Sequence, residues 1–318
     1  MSAPLIFAVP SKGRLKDQVE AWLADCGVSL RPAGGARGYQ AALEGFAGLE
    51  VRLASAADIA AGLAAGEIHL GVTGEDLLRE VEGAGRLLLM ALGFGRADLV
   101  VAAPRSWIDV ATMADVDDLA HDILARTGRR LRVATKYPAQ TRAFFAQRGV
   151  ADYRIVESTG ATEGAPAAGL AELIVDITTT GATLAANGLK VLADGLILSS
   201  QARLAAGLGA LWSAEALALA RRLLAVFEAR ARGHDVASLI WPAAQDRAAR
   251  AAAAAFAQAG EARANGALIA RADLFAAMEA LARADVGPVS VTQPAYVFEP
   301  RGEAADRLVA AVGAQSGH

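Results

Sequence analysis

The sequence predicts an α/β protein of two lobes around a cleft, followed by a smaller C-terminal α+β domain. Three observations predict it. Short apolar runs alternate with helix-period stretches from the start to about residue 200, the pattern of strands and helices in a mostly parallel sheet. Around "LGFGRADLV", Leu92–Val100, two strand-like runs follow each other without a helix, as where a chain crosses between lobes. From Ser213 the texture changes to a long Ala/Leu/Arg helix and then to a separate strand and helix alternation.

Taken in order, "LIFAVP" reads as a strand, "KDQVEAWLADCG" as a helix, "VRLAS" as a strand, "DIAAGLAAG" as a helix and "IHLGVTG" as a strand. Gly27, Gly66 and Gly149 each stand where a helix C-terminal cap belongs. "DLVVAAP", "LRVATK", "AQTRAFFAQRG", "DYRIVES" and "LIVDI" continue the alternation, and "LKVLADGLILSSQARL" reads as a strand pair returning to the first lobe. The expected boundaries are therefore 1–95 with 190–220 for the first lobe, 96–189 for the second, and 221–318 for the long helix and C-terminal domain. In that tail, "VASLIWPAA", "QDRAARAAAAAFAQAG", "GALIAR", "DLFAAMEALARAD" and "GPVSVTQPAYVFE" give most of a ferredoxin-like βαββαβ order. The strand expected around "EARAN" is not visible.

Composition sets the limits. The 318 residues suffice for two or three domains, with 54% hydrophobic and 20% charged residues. A formal charge of -3 provides no basic footprint for nucleic acid. Cys26 is the only cysteine, which suits a reducing compartment. The start carries no signal-like n-region, and no apolar run approaches the roughly 18 to 20 residues of a membrane span. The expectation is a soluble, cytoplasmic protein that meets no membrane. His69, His121, His234 and His318 lack metal-ligand spacing and are read as surface or capping residues.

The chemistry concentrates in "LIVDITTTGATLAANG", Leu173–Gly188. An apolar run reaches Asp176, breaks into hydroxyls and a glycine, and turns helix-like. Successive backbone N–H groups at such a turn form an anion nest, and the helix start adds partial positive charge. Thr178, Thr179, Thr180 and Thr183 bring hydroxyls, and Gly181 allows close approach of the backbone to an oxygen. The lysine of a Walker loop is missing, so triphosphate hydrolysis of that type is not indicated. Alone, "TTTGAT" reads equally well as a strand-to-helix turn with a threonine cap. Glu163 in "ATEGAP" and Glu172 ahead of the apolar run favour a ligand site.

"GATEGAPAAGLAELIVDITTTGATLAANGLK", Gly160–Lys190, resembles the signature segment of the ATP phosphoribosyltransferase family. "PSKGRL", "LGVTGEDLL", "LGFGRADLVVA" and "VATKYPAQTRAFFAQRG" resemble its other blocks in the expected order, over residues 1 to about 220. The resemblance implies two lobes of the periplasmic-binding-protein type. It also implies a reaction that joins N1 of ATP to C1 of phosphoribosyl pyrophosphate and releases pyrophosphate, the opening step of L-histidine biosynthesis. Asp176 would accept from the ribose hydroxyls, and Thr178, Thr179, Thr180, Gly181, Ala182 and Thr183 would hold the 5'-phosphate with Glu163 nearby. Lys12 and Arg14 would meet phosphate or pyrophosphate; cations at a helix start oppose its dipole and are better explained by an anion. Arg52, Asp58, Glu75, Arg96 and Lys136 would contact ATP, although Glu75 and Asp58 read equally as helix-start acids. Mg2+ would bridge pyrophosphate oxygens with few protein ligands.

Adenine N1 attacks with its lone pair, so the reaction asks for positioning and electrostatic stabilisation rather than a protein nucleophile or base. Family members often carry a cysteine and an arginine where this chain has Ala97 and Asp98, so no role is carried to that position and Arg96 is the cation nearby. A two-lobe plan also serves small-molecule-binding modules of the solute-receptor type. The nest beside Asp176 and the missing helix-turn-helix favour the enzyme. Phosphoribosyltransferases for other bases often show two adjacent acids, whereas Ile177 follows Asp176 here. Long family members end in a ferredoxin-like (ACT-like) domain that binds histidine, and short ones use a separate regulatory subunit. The tail reads either as a histidine sensor or as a domain kept for oligomer contacts. The expected partners are ATP and phosphoribosyl pyrophosphate, then L-histidine as effector, a homo-oligomer (hexamer or dimer) and an accessory subunit.

Overall fold

The computed structural model describes residues 4–32, 40–83, 85–158, 160–257 and 264–315. The chain opens with β1 (Leu5–Pro10), α1 (Gly13–Asp25), β2 (Leu30–Pro32), β3 (Gln40–Leu43) and β4 (Leu49–Ala54). It continues through α2 (Ala56–Ala65), β5 (Leu70–Gly74), α3 (Glu75–Glu80) and β6 (Arg86–Ala91). The second lobe follows as β7 (Ala97–Pro104), α4 (Met113–Thr127), β8 (Leu131–Thr135), α5 (Pro138–Gln147), β9 (Tyr153–Glu157), β10 (Leu173–Thr178), α6 (Ala182–Ala186) and β11 (Leu189–Ser200). Then come β12 (Ala202–Gly207), α7 (Ala214–Asp235), β13 (Val236–Ile240), α8 (Asp246–Ala253) and β14 (Gly266–Ala270). The last elements are α9 (Leu274–Arg283), β15 (Ser290–Thr292) and α10 (Glu303–Gln315).

The first sheet runs β2-β3-β4-β1-β5-β12-β6 and the second β11-β7-β10-β8-β9. Parallel pairing is confined to β4-β1-β5 in the middle of the first sheet and to β10-β8-β9 at one side of the second. β12 and β7 join antiparallel because each enters its sheet directly from a crossover instead of through a helix. Both sheets are therefore mixed, a departure from the expected mostly parallel plan. The crossovers are bonded to each other: Leu92 N–H donates to Ala202 O at 3.0 Å and Ala202 N–H to Phe94 O at 2.9 Å.

The boundaries differ from the expected ones in two places. β11 pairs along β7 in the second sheet, and only β12 returns to the first, so the second lobe extends to Ser200. An apolar alternation fixes the faces of a strand but not the sheet it joins. The long helix and the end of the chain also belong to the first lobe. Leu223 and Phe227 of α7 and Leu308 of α10 share one core with Phe7, Val51, Val72 and Leu204, and the Trp22 and Phe227 rings lie 4.4 Å apart.

Between α7 and α10 sits a small sheet of order β14-β13-β15, antiparallel throughout, whose core joins Leu239 and Ile269 to Ala249 of α8 and Leu281 of α9. The strand sought around "EARAN" falls on residues 261–263, outside the described ones, and on a turn at Ala264 and Asn265. A single antiparallel bridge, Ala257 to Ile269, lies on the free side of β14. Of "GPVSVTQPAYVFE", only Ser290–Thr292 is strand. His69, expected in a surface or capping role, is a core residue. Its Nδ1 accepts from Ile6 N–H at 3.2 Å, leaving Nε2 to donate to Leu211 O at 3.1 Å, with Trp212 edge-on to the ring.

Candidate active site

β10 carries Leu173, Ile174 and Val175 through the core and emerges at Asp176, two residues before the strand ends at Thr178. Gly181 follows in the left-handed region, φ 74°, which a side chain would strain, and α6 starts immediately after it. The loop holds itself in shape. Gly181 N–H donates to Thr178 Oγ1 at 2.9 Å and Ala182 N–H to Thr180 Oγ1 at 3.4 Å. Asp176 Oδ1 accepts from Ile177 N–H at 2.8 Å.

A cavity of about 460 Å³ opens at this point. Its wall is Asp176, Ile177, Thr178, Thr179, Thr180, Thr183 and Leu184 with Glu163, Lys136, Tyr137 and Ala97, all from the second lobe. Lys136 and Tyr137 lie where β8 ends and α5 begins, and Glu163 in a short turn ahead of β10. Burial raises the Asp176 carboxyl above its ordinary value; the Ile177 N–H and the Lys136 charge pull it back, and Glu163 pushes it further up. The Tyr137 hydroxyl is raised by burial and by the Asp76 charge it faces.

Other anticipated residues sit on the first lobe. Lys12 caps α1 at the C-terminal end of β1, Arg14 lies in its first turn, and no acid accompanies them there. Leu15 touches Gly95, where an added Cβ would stand 3.2 Å from Leu15 Cδ1, so the start of α1 adjoins the crossover that leads to Arg96 and Ala97. Both cations and Arg96 are exposed. Asp58, at the same sheet edge, bonds Ser55 Oγ at 2.6 Å and caps α2 with it. Asp98 pairs with Thr178 across β7 and β10, so the position of the family departure adjoins the loop itself.

Two anticipated groups, Arg52 and Glu75, are engaged elsewhere, and so is Glu172 ahead of β10. Arg52 does not reach the cleft: its Nε donates to Glu50 at 2.9 Å and Nη1 points at Glu67 O at 3.5 Å, beyond the far end of α2. Glu75 is buried and saturated by Arg79 at 2.6 Å and Arg203 at 2.7 Å. Burial would raise its carboxyl, but the two guanidinium groups hold it below the ordinary range. Glu172 occupies the opposite end of β10, 2.7 Å from Arg132 and 2.9 Å from Arg129; burial opposes its ionisation, yet these partners bring it down to about 2.

Sequence reasoning passed over Asp76, Tyr137 and Ser200 as site residues. The Tyr137 hydroxyl donates to Asp76 Oδ2 at 2.8 Å and the Ser200 hydroxyl to Asp76 Oδ1 at 2.8 Å. The only sequence signal was an aromatic polar residue before Pro138, at a strand end.

Among the described residues, no group of three or more His, Cys, Asp and Glu side chains is placed to hold a metal ion. Glu163 and Asp176 are the carboxylates at the cavity. No helix of the described residues is long and apolar enough to cross a membrane.

A family model described as ATP phosphoribosyltransferase matches residues 55–225. The chain is 67% identical to the ATP phosphoribosyltransferase of Caulobacter vibrioides (strain NA1000 / CB15N) over 316 residues, 98% of this chain and 99% of that one. It is 58% identical over 235 residues to the enzyme of the same name from Rhodopseudomonas palustris (strain HaA2), covering 73% and 72% of the two chains. Among solved structures, the ATP phosphoribosyl transferase (HisG:HisZ) complex from Thermotoga maritima matches at 26% identity with a TM-score of 0.48, over 64% of this chain and 87% of that one.

Proposed function

The chain belongs to the ATP phosphoribosyltransferase family, and from that premise we propose how its cleft carries out the family's reaction. The enzyme joins N1 of ATP to C1 of phosphoribosyl pyrophosphate and releases pyrophosphate, the first step of L-histidine biosynthesis. One observation carries the assignment of parts: a half-buried carboxylate, Asp176, emerges from the core beside a glycine turn with four threonines around it.

In this reading Asp176 accepts hydrogen bonds from the ribose hydroxyls, and the Thr178–Thr183 loop receives the 5'-phosphate. The Thr178 and Thr180 hydroxyls now occupy the Gly181 and Ala182 N–H groups. Phosphate oxygens would replace them as acceptors, so the nest is preorganised and its donors are never left bare. Lys12, Arg14 and Arg96 face the pyrophosphate and the ATP phosphates, Lys136 sits beside Asp176, and Asp58 lies toward the nucleotide. Arg52 and Glu75 have no part, being engaged elsewhere.

The reaction breaks the bond from C1 to the pyrophosphate oxygen and forms the bond from C1 to N1. Positive charge gathers on the ribosyl centre and negative charge on the departing group. Fixed carboxylates near the first and fixed cations near the second lower the barrier without a proton transfer. Glu163 and Asp176 are the carboxylates that would hold a Mg2+ ion, which would supply positive charge to neutralise the leaving group.

We take the unit from Val236 as ferredoxin-like (ACT-like), supported by its antiparallel β14-β13-β15 order and by the bridge at the place of the missing strand. L-Histidine is the proposed effector, in a homo-oligomer, hexamer or dimer, working in the cytoplasm where its substrates are made. The test is an assay of the purified chain with ATP, phosphoribosyl pyrophosphate and Mg2+, with and without millimolar histidine. Turnover suppressed by histidine is expected. Turnover indifferent to histidine removes the sensor and leaves the unit as an oligomer contact, and no turnover from the folded chain turns attention to an accessory subunit.

A further inference from the structure

Three polar groups buried between the lobes have no place in the reaction as described: Asp76 at 7% exposure, Tyr137 at 4% and Ser200 at 5%. Each comes from a different part of the frame. Asp76 begins α3 in the first lobe, Tyr137 precedes α5 in the second, and Ser200 ends β11 at the crossover. Asp76 uses both carboxylate oxygens, one for each hydroxyl, and its own N–H donates to Ser200 Oγ at 3.1 Å. The Gln140 side chain donates to Asp76 O at 2.9 Å, and Glu80 accepts from the Ala139 and Gln140 N–H groups at 2.7 and 3.2 Å, capping α5 from the other lobe.

A buried carboxylate held by hydrogen bonds from the opposite lobe and the crossover resists a change in lobe angle, because rotation stretches charge-assisted bonds that are strong in a site shielded from water. Tyr137 is held on its other sides as well. Its N–H donates to Thr135 Oγ1 at 2.9 Å, and its carbonyl accepts from Thr141 Oγ1 at 2.7 Å. Tyr137 lines the cavity, and the preceding residue, Lys136, lowers the Asp176 carboxyl through its charge.

We propose that Asp76 and Ser200 are positioning residues that act through Tyr137, a clamp between the lobes that fixes the Lys136–Tyr137 strand end against Asp176. The clamp rests on the cleft reading above, since its output is the placement of Lys136 beside the ribosyl site. Asp76 and Ser200 stand behind Tyr137, outside the residues that line the cavity.

Tyr137→Phe removes one hydroxyl and keeps the buried ring, so it preserves the fold where Asp76→Ala could fail to. The expected result is a fall of roughly tenfold in kcat/KM for phosphoribosyl pyrophosphate with a small change in melting temperature. Lys136→Ala should lower the same quantity, and adding Tyr137→Phe to it should cost less than about threefold more, because the two changes break one chain of action. Asp76→Asn, whose amide oxygen still accepts from Tyr137, should recover most of what Asp76→Ala loses. Wild-type kinetics in Tyr137→Phe, or full multiplication of the two losses in the double variant, would overturn the clamp and leave the reaction standing. If the wild-type chain shows no turnover, the reaction reading fails instead. Small-angle X-ray scattering then judges the clamp as a hold on lobe angle: a broader distance distribution in Tyr137→Phe supports it, and an unchanged one overturns it.

Discussion

At the scale of single residues, Asp176 is set apart from Asp25, Glu75 and Glu172 by having no arginine to neutralise it among the described residues. Asp25, Glu75 and Glu172 are paired with arginines, whereas Asp176 has the Ile177 N–H, the Lys136 charge and the Thr162 side chain to hold it. Burial therefore dominates at Asp176 and its carboxyl lies above the usual 3.8. The ionised form is the acceptor for ribose hydroxyls, so kcat/KM for phosphoribosyl pyrophosphate should fall as pH drops through that raised value. Glu163→Gln removes a neighbouring negative charge and should move the acid limb to lower pH. Lys136→Ala removes a positive one and should move it to higher pH. A pH profile in which neither variant shifts the limb would show that Asp176 is not the group observed. Asp176 and the threonine loop were legible in the sequence because strand, acid, hydroxyls and glycine are contiguous. The engagement of Arg52 and Glu75 was not, since Glu67 and Arg203 reach them only through the tertiary fold.

At the scale of elements, periodicity revealed strands and helices but not their allegiance. β11 and α7 both read correctly as elements, yet one lies in the second sheet and the other on the first lobe, because an apolar face does not name its partner. The return of α10 is secured by a residue that pattern cannot flag. Glu228 of α7 is buried and its Oε1 accepts from Ala304 N–H at 2.8 Å, capping α10. The other oxygen, Oε2, is buried among the described residues without a hydrogen-bond partner, and a Cβ added at Gly302 would collide with it. Glu228→Ala frees the helix start and leaves Ala304 N–H without its acceptor, at a cost of about 1–3 kcal/mol. Equilibrium denaturation checks this; a midpoint equal to wild type would mean that α10 is held by its apolar face alone.

At the scale of the whole molecule, two mixed sheets are joined by two crossovers that bond to each other, and the ligand wall belongs entirely to the second lobe. The first lobe contributes the opposite rim, with Lys12, Arg14 and Asp58 at the C-terminal ends of its parallel strands, where open α/β sheets place their ligands. In the proposed reaction this division lets one chain handle two anionic substrates, the nest taking one phosphate and the exposed Lys12 and Arg14 across the cleft meeting the others. The small sheet between α7 and α10 is fastened to the first lobe, with Arg230 of α7 bridging Asp25 of α1 and Ala295 O.

The most direct test of the account is the steady-state turnover of Asp176→Ala with ATP, phosphoribosyl pyrophosphate and Mg2+, beside the wild type and with the fold checked by circular dichroism. The account predicts a loss of about a hundredfold or more with an intact fold. Turnover near the wild-type rate would contradict it and remove the β10 carboxylate from the reaction.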